Sequence, residues 1–388
     1  MNPHSRTGRG RLVTLAGVVA VFAWALPAPA GAVEFTTSAP QGYLIDAETG
    51  TVLLAKGADQ PMPPASMSKL MTVYMTFEAL KDGRLSMDTE LPVSREAWQK
   101  GGSKMFVEVD TMVPVIDLLR GVIVQSGNDA SIVLAEGIGG TESGFASLMN
   151  HRARELGLQN SHFTNSTGWP DPNHVMSPRD LALLTILIVD HFPEYFPLFS
   201  ETEYTYGGIK QQNRNPLLYR NMGAEGMKTG YTKAAGYGLT ASALRNGRRL
   251  VLVLNGMNSP RQRVSEATRL LELAFAQTEA VHLADAGEVI GAVSVAGGRD
   301  LEVPVASATR LAATLPRGSG RNDTEFFIRY EGPVTAPIAA GTQVASLVVS
   351  NPMQAPTEYP LVAATPVPEV GLFMRMVRAA GFLIWGPP

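Results

Sequence analysis

The sequence predicts an α+β fold, an antiparallel sheet carrying a helical insert, followed by a small all-β domain and a C-terminal amphipathic helix. Three observations predict it. Strand-like apolar runs at 43–54 and 236–256 flank a stretch of helical apolar spacing, and an amphipathic pattern follows at Arg261–Gln277. Beyond His282 the texture changes to short Val/Ala/Leu runs cut by Gly and Pro. At 388 residues the chain has length for two to three domains.

The N-terminus carries Arg6, Arg9 and Arg11, an apolar stretch Leu12–Leu26 and a small-residue exit Ala30-Gly31-Ala32. That order is expected of a signal peptide spanning 1–32, with Val33 as the mature start. Tyr43–Asp46 and Val52–Leu54 read as a hairpin about a Glu48-Thr49-Gly50 turn. Pro61, Pro63 and Pro64 end it and make Ala65-Ser66 a helix start, because Leu70, Met71, Tyr74, Phe77 and Leu80 then recur at helical spacing. Further helical patterns cover Val115–Val124, Ser131–Ile138, Gly144–Leu156 and Pro178–Val189 with no strand signal among them, predicting an all-helical middle. Strands return at Gly236–Leu244 and Arg249–Gly256, and the β-rich part shows them at Val289–Val295, Leu301–Val305, Phe326–Tyr330 and Val344–Val349. The expected division is 33–278 for the main domain, 279–366 for the β-rich domain and 367–388 for the terminal helix. In that helix Val370, Phe373, Met374, Val377 and Ile384 share one face and Arg375 and Arg378 another, which suits a membrane surface; docking on the protein body is the alternative.

Composition excludes several classes. Lys plus Arg is 32 and Asp plus Glu 35, a formal charge of −3, and no basic block tracks a phosphate backbone, so no nucleic acid partner is expected. No apolar run reaches the ~20 residues that span a bilayer. Zero cysteines remove thiol catalysis, disulfides and thiolate metal sites. The six histidines form neither a zinc-peptidase pair nor a serine triad with a nucleophile elbow, and each reads as a surface or loop residue. Nucleotide-binding glycine motifs are missing as well, so neither a metal nor a cofactor is expected.

Three short motifs remain: Ser66-Met67-Ser68-Lys69, Ser126-Gly127-Asn128 and Lys228-Thr229-Gly230. Each alone is weak; their order carries the argument. Residues three apart on a helix share a face, so the Lys69 amine can take the proton of the Ser66 hydroxyl. An amine of ordinary pKa, ~10.4, stays charged at neutral pH, so burial or a nearby cation must depress it, and Lys228 is the candidate cation. Lys228 also suits a substrate carboxylate, as does Arg263, with Arg261 its local rival. Ser126 is placed to relay a proton to a leaving amine, and Asn128 to hold a peptide carbonyl or Lys69. Thr229 and Gly230 introduce a strand edge on which an extended peptide can pair. Backbone N–H groups of Ser66 and Tyr231 would hold the oxyanion.

The trio resembles the signature of penicillin-recognising serine enzymes, and Ser-Gly-Asn in place of Ser-Asp-Asn is similar to the D-alanyl-D-alanine carboxypeptidases, the low-molecular-mass penicillin-binding proteins. The surrounding words carry the likeness: Pro64–Thr72, Ser126–Ala130, Asn165–Gly168 and Gly226–Thr232. It covers Phe35–Gln277 strongly and the remainder weakly. The resemblance implies a penicillin-binding, β-lactamase-like transpeptidase fold with Ser66 as nucleophile, Lys69 as base, Ser126 as relay and Lys228 as carboxylate anchor. It implies further that Arg263 binds the carboxylate. Tyr231 stands where family members often carry His.

The expected activity is therefore removal of the terminal D-alanine from peptidoglycan pentapeptide, with β-lactams acylating Ser66, in the bacterial periplasm at the outer face of the cytoplasmic membrane. Three rivals are weaker on sequence. A β-lactamase would need a water-activating Glu where Ser166–His174 offers only Asp171. A D-Ala-D-Ala endopeptidase generally lacks the extra β-domain, and a silent scaffold would not keep all three motifs intact.

Overall fold

The computed structural model describes residues 35–317, 324–351 and 354–371. The candidate signal peptide 1–32 and nearly all of the terminal segment, 372–388, lie outside the described residues. Strands β1 (Gln41–Asp46) and β2 (Val52–Lys56) form the expected hairpin. After the prolines, Ala65–Ser68 make one 3-10 turn and α1 (Lys69–Lys81) continues from it. Ser66 thus stands in a tight turn ahead of α1 rather than in the first turn of the α-helix itself. Every residue of α1 except Glu78 and Lys81 is buried, as befits a helix that is apolar nearly all round. Burial of side chains such as Leu70 and Phe77 stabilises by roughly 2 kcal/mol each.

The middle of the chain is not purely helical, which corrects the expectation. β3 (Glu90–Pro92), α2 (Arg95–Gln99) and β4 (Met112–Pro114) precede α3 (Val115–Ile123), α4 (Asn128–Gly139), α5 (Glu142–Glu155) and α6 (Pro178–His191). A second small ribbon, β5 (Glu203–Tyr206) with β6 (Ile209–Gln212), follows. These strands run three or four residues, too short to print a period in the sequence. The helix starts do follow local chemistry: Thr141, Ser177 and Ser259 cap α5, α6 and the later helix Pro260–Gln277 by accepting a backbone N–H three residues on, and Pro178 opens α6.

Three long strands complete the main sheet: β7 (Ala224–Thr232), β8 (Gly236–Arg245) and β9 (Arg248–Met257), with α7 (Pro260–Gln277) behind them. The order is β2-β1-β9-β8-β7, antiparallel throughout, so the N-terminal hairpin pairs with the late strand β9. β9 shows why the sheet is central. Val251 and Val253 face the helical layer with Met71, Tyr74 and Phe77, while Leu250, Leu252 and Leu254 face α7 through Leu270 and Leu271. A strand covered on both faces has no polar alternation, hence the unbroken Leu-Val run. β7 is hydrogen-bonded to β8 alone, which leaves it as the sheet's edge.

The β-rich part contains β10 (Thr278–Ala284), β11 (Val289–Ala296), β12 (Glu302–Ala306), β13 (Leu311–Pro316), β14 (Glu325–Arg329), β15 (Val334–Thr335), β16 (Gln343–Asn351) and β17 (Gln354–Ala363). β10 pairs with β13, and the other six form one sheet around a core that includes Val293, Val303, Val305, Leu347, Val349 and Leu361. β10, β13, β15 and β17 fall outside the strand runs that the sequence predicts. Among the described residues no helix is long and apolar enough to cross a membrane.

A buried polar junction ties the two sheets together. Arg248 donates to Asp46 Oδ2 at 2.7 Å and, through its other two nitrogens, to the carbonyl and hydroxyl of Thr278 at 2.7 Å each. Thr314, on β13, donates to the same Asp46 oxygen at 2.8 Å and meets Thr49 at 2.7 Å. Asp46 is fully buried and Arg248 nearly so. Removing one member of such a pair leaves a dry, uncompensated charge, so Arg248→Met should lower unfolding free energy in urea by about 3 kcal/mol or more. A loss below about 0.5 kcal/mol, the level of an ordinary surface substitution, would show the junction to be dispensable.

Candidate active site

The three motifs, far apart in sequence, meet at the edge strand β7. Lys69 is fully buried, and its Nζ has three partners: Ser66 Oγ at 3.0 Å, Asn128 Oδ1 at 2.7 Å and the Thr167 carbonyl at short range. Asn128 donates its amide N–H to the Gly101 carbonyl at 2.8 Å, which turns Oδ1 towards Lys69. Two of the three partners, Asn128 Oδ1 and Thr167 O, can only accept. A neutral amine has two N–H bonds to give them, and its lone pair is then directed at the Ser66 hydroxyl. The charged form would instead donate its third proton to Ser66.

Burial lowers the Lys69 pKa to about 7, helped by the guanidinium of Arg214 and opposed by the carboxylates of Asp129 and Glu142. Lys228 was expected to be the depressing cation. It is itself pushed well below its usual range, by burial and then by Lys69, Arg214 and Arg263. The permanent cation is Arg214, which sequence reasoning missed. It reaches the site from the segment after β6 and donates to Ser103 Oγ at 2.7 Å, while the Ser103 carbonyl accepts the Asn128 N–H at 2.7 Å.

Lys228 Nζ donates to Ser126 Oγ at 2.8 Å. Ser126 occupies the break between α3 and α4 with φ of +62°, a left-handed conformation that costs a non-glycine residue of order 1 kcal/mol. Asp129, immediately after the motif, secures the neighbouring loop by accepting from Met105 at 3.0 Å and Phe106 at 2.9 Å. The Asn165–Gly168 word has its own mechanics. Asn165 Oδ1 accepts from the N–H groups of Thr167 and Trp169 at 3.1 and 3.0 Å, and Glu142 accepts from the Ser166 N–H and hydroxyl at 3.0 and 2.7 Å. Gly168, at φ of +73°, passes so close to Ala65 that a Cβ would lie 2.0 Å from its carbonyl oxygen. The Thr167 carbonyl is thereby aimed at Lys69.

In the third motif Gly230 admits the turn that bears Ser66: a Cβ there would lie 2.8 Å from the Pro64 carbonyl oxygen. Thr229 is buried beside it, and Tyr231 is exposed, stacked on Tyr237 at 4.2 Å between ring centres. Arg263 lies over Tyr237 at 5.9 Å and acts on Lys228, whereas Arg261 faces a separate exposed groove with Arg220 and Val264. Asp171 is exposed on the loop surface. His174 lies in a loop, as expected, but is buried there: it accepts the Thr164 N–H at 3.2 Å, and burial drops its pKa from 6.5 to about 4.

Comparison with known proteins places the chain among relatives. Residues 29–259 match the family model described as D-alanyl-D-alanine carboxypeptidase, and residues 279–369 that of the penicillin-binding protein 5 C-terminal domain. The chain is 34% identical over 379 residues to D-alanyl-D-alanine carboxypeptidase DacA of Haemophilus influenzae, covering 94% of this chain and 95% of that protein. The solved structure of penicillin-binding protein 5 from Haemophilus influenzae matches with a TM-score of 0.80 at 34% identity, over 87% of this chain and 100% of that one. Penicillin-binding protein D2 from Listeria monocytogenes, solved in an ampicillin-bound form, matches with a TM-score of 0.57 at 29% identity, over 62% of this chain and 98% of its own.

Two outcomes are expected. Because the Arg214 charge lowers the Lys69 pKa, Arg214→Gln should move the acid limb of the acylation-rate profile to higher pH than about 7, measured with a chromogenic β-lactam; an unmoved limb would remove Arg214 from the site's electrostatics. His174 binds its proton more weakly folded than unfolded, so stability should fall as pH drops from 6.5 and level off below about 4. His174→Asn, which keeps an acceptor for Thr164, should flatten that slope in urea titrations run at successive pH values.

Proposed function

The chain belongs to the D-alanyl-D-alanine carboxypeptidase family and is a serine D,D-carboxypeptidase acting on peptidoglycan; on that premise we propose that Ser66, Lys69 and Ser126 carry the reaction. The observation that supports this most directly is the Lys69 amine, buried among two pure acceptors and the Ser66 hydroxyl. Lys69 takes the Ser66 proton as Oγ bonds to the carbonyl carbon of the penultimate D-alanine. Backbone N–H groups of Ser66 and Tyr231 hold the oxyanion. The C–N bond breaks, Ser126 protonates the departing D-alanine amine, and Lys228 at 2.8 Å resupplies Ser126. Water then attacks the acyl carbon, its proton passing through Ser126 to Lys228, while Lys69 returns the proton it holds to the departing Ser66 oxygen.

Lys228, Thr229 and Arg263 receive the terminal carboxylate. Bringing that anion beside Lys228 opposes the burial and the neighbouring cations that depress its pKa, so substrate binding favours the charged form of this amine. β-Lactams present a strained amide and a carboxylate to the same groups, and their ring nitrogen stays tethered after opening, which keeps water out and slows release.

The wider assignments of the proposal are residues 33–278 for the peptidase, 279–366 for the β-rich domain, and 367–388 for a membrane-surface helix. Export through the 1–32 segment would place the enzyme in the periplasm, where its substrate lies. The charged start and apolar run of the one terminus and the apolar and arginine faces of the other support this placement.

Incubation of the mature protein with benzylpenicillin, followed by intact mass and peptide mapping, should give a long-lived adduct on Ser66. Ser66→Ala should show neither the adduct nor D-alanine release from a D-Ala-D-Ala peptide. D-alanine release by that variant would overturn the mechanism.

A further inference from the structure

A cavity of about 460 Å³ opens beside the catalytic cleft, between the β7–β8 turn, the start of β1 and the end of β9. Tyr231, the residue after the third motif, lines it, and its wall includes Pro63, next to the Pro64 whose carbonyl packs on Gly230. An extended peptide laid along the free edge of β7 advances about 3.3 Å per residue, so the residue just upstream of the scissile pair arrives over this cavity when the chain runs towards Thr232.

The lining has a distinct chemistry. It contains no Asp or Glu, and its single cation is Lys233, which is exposed and has no carboxylate partner among the described residues. Lys233 sits on a fixed turn, since Thr232 Oγ1 accepts the Ala235 N–H at 3.0 Å and Gly236 closes the turn at φ of +69°. Of its lining amides, Asn255 donates its Nδ2 hydrogen to Gln41 Oε1 at a long 3.5 Å, and Asn255 Oδ1 has no hydrogen-bond partner among the described residues. Tyr231, stacked on Tyr237, gives an apolar wall for the stem of a long side chain.

We propose that this cavity is a specificity subsite for a free carboxylate on the side chain immediately upstream of D-Ala-D-Ala, with Lys233 as its counter-charge. The proposal deepens the carboxypeptidase reading and rests on it. A side chain ending in a carboxylate, alone or as a zwitterion, is accepted; one ending in an ammonium meets Lys233 and no anion.

The test compares kcat/KM for D-alanine release from N-acetylated tripeptides whose first residue ends in a carboxylate, its amide or an ammonium. A second pair of peptides adds an upstream γ-linked D-glutamate with its α-carboxylate free or amidated. The wild-type enzyme should favour the side-chain carboxylate over the amide by about threefold or more at low salt, a partly screened charge pair, and the ratio should shrink as salt rises. Lys233→Gln should bring that ratio to one, and Lys233→Glu should turn the preference to the ammonium peptide. A ratio of one in the wild-type enzyme, a ratio untouched by both variants, or a preference that follows only the D-glutamate carboxylate overturns the subsite while leaving the carboxypeptidase intact. No release from any peptide would overturn the carboxypeptidase reading and the subsite with it.

Discussion

Lys69 has to be dry to act as a base near neutrality, and keeping it dry dictates its surroundings. A buried amine without partners is costly, so each hydrogen it can donate needs an acceptor. The three atoms around Nζ come from three places: a 3-10 turn supplies Ser66, the first residue of α4 supplies Asn128, and the 164–168 loop supplies the Thr167 carbonyl. Each is held by a further group: Gly101 orients Asn128, and Glu142 and Asn165 brace the loop. The 3-10 turn, α4 and the 164–168 loop must agree in position for this one nitrogen to be satisfied.

The sheet contributes an edge where the helices contribute a base. Covering β9 on both faces consumes the apolar surface of the sheet and leaves β7 with one unpaired side, next to Ser66. The approach is close enough that only glycine fits at 230 and at 168. Ser126, strained into the left-handed region, is the complementary device: the twist carries its hydroxyl to Lys228 rather than along the helix that follows. Such strain persists where the surrounding bonds over-determine it, and here Asp129 and Asn128 fix the chain on its C-terminal side.

Much of this was legible in the order of residues. The long strands and helices declare themselves by period, because each presents a repeated apolar face; β3 to β6 do not, being too short to repeat. Ser66 and Lys69 are local neighbours, so their contact follows from helical spacing alone. Arg214 had no such signal: it stands between two asparagines in a loop, and only the folding of that loop against Ser103 brings its charge to Lys69. Assigning Lys228 that role failed because the influence runs the other way: Lys69 lowers the pKa of Lys228, while the cations acting on Lys69 are Arg214 and, behind it, Lys100. Asp129 and Glu142 were equally silent, since their carboxylates serve backbone N–H groups rather than the reaction.

The Asp46–Arg248 pair has a consequence for how such a chain can be assembled over evolutionary time. Its two charges belong to the peptidase sheet, but three of their five side-chain hydrogen bonds end on Thr278 and Thr314, at the start of the β-rich part and within it. The C-terminal module is therefore no free cassette. A gene that lost it would expose a matched pair of ions evolved for a dry seam, and one that gained it would have to acquire them, so residues 46 and 248 should change together with the presence of the module.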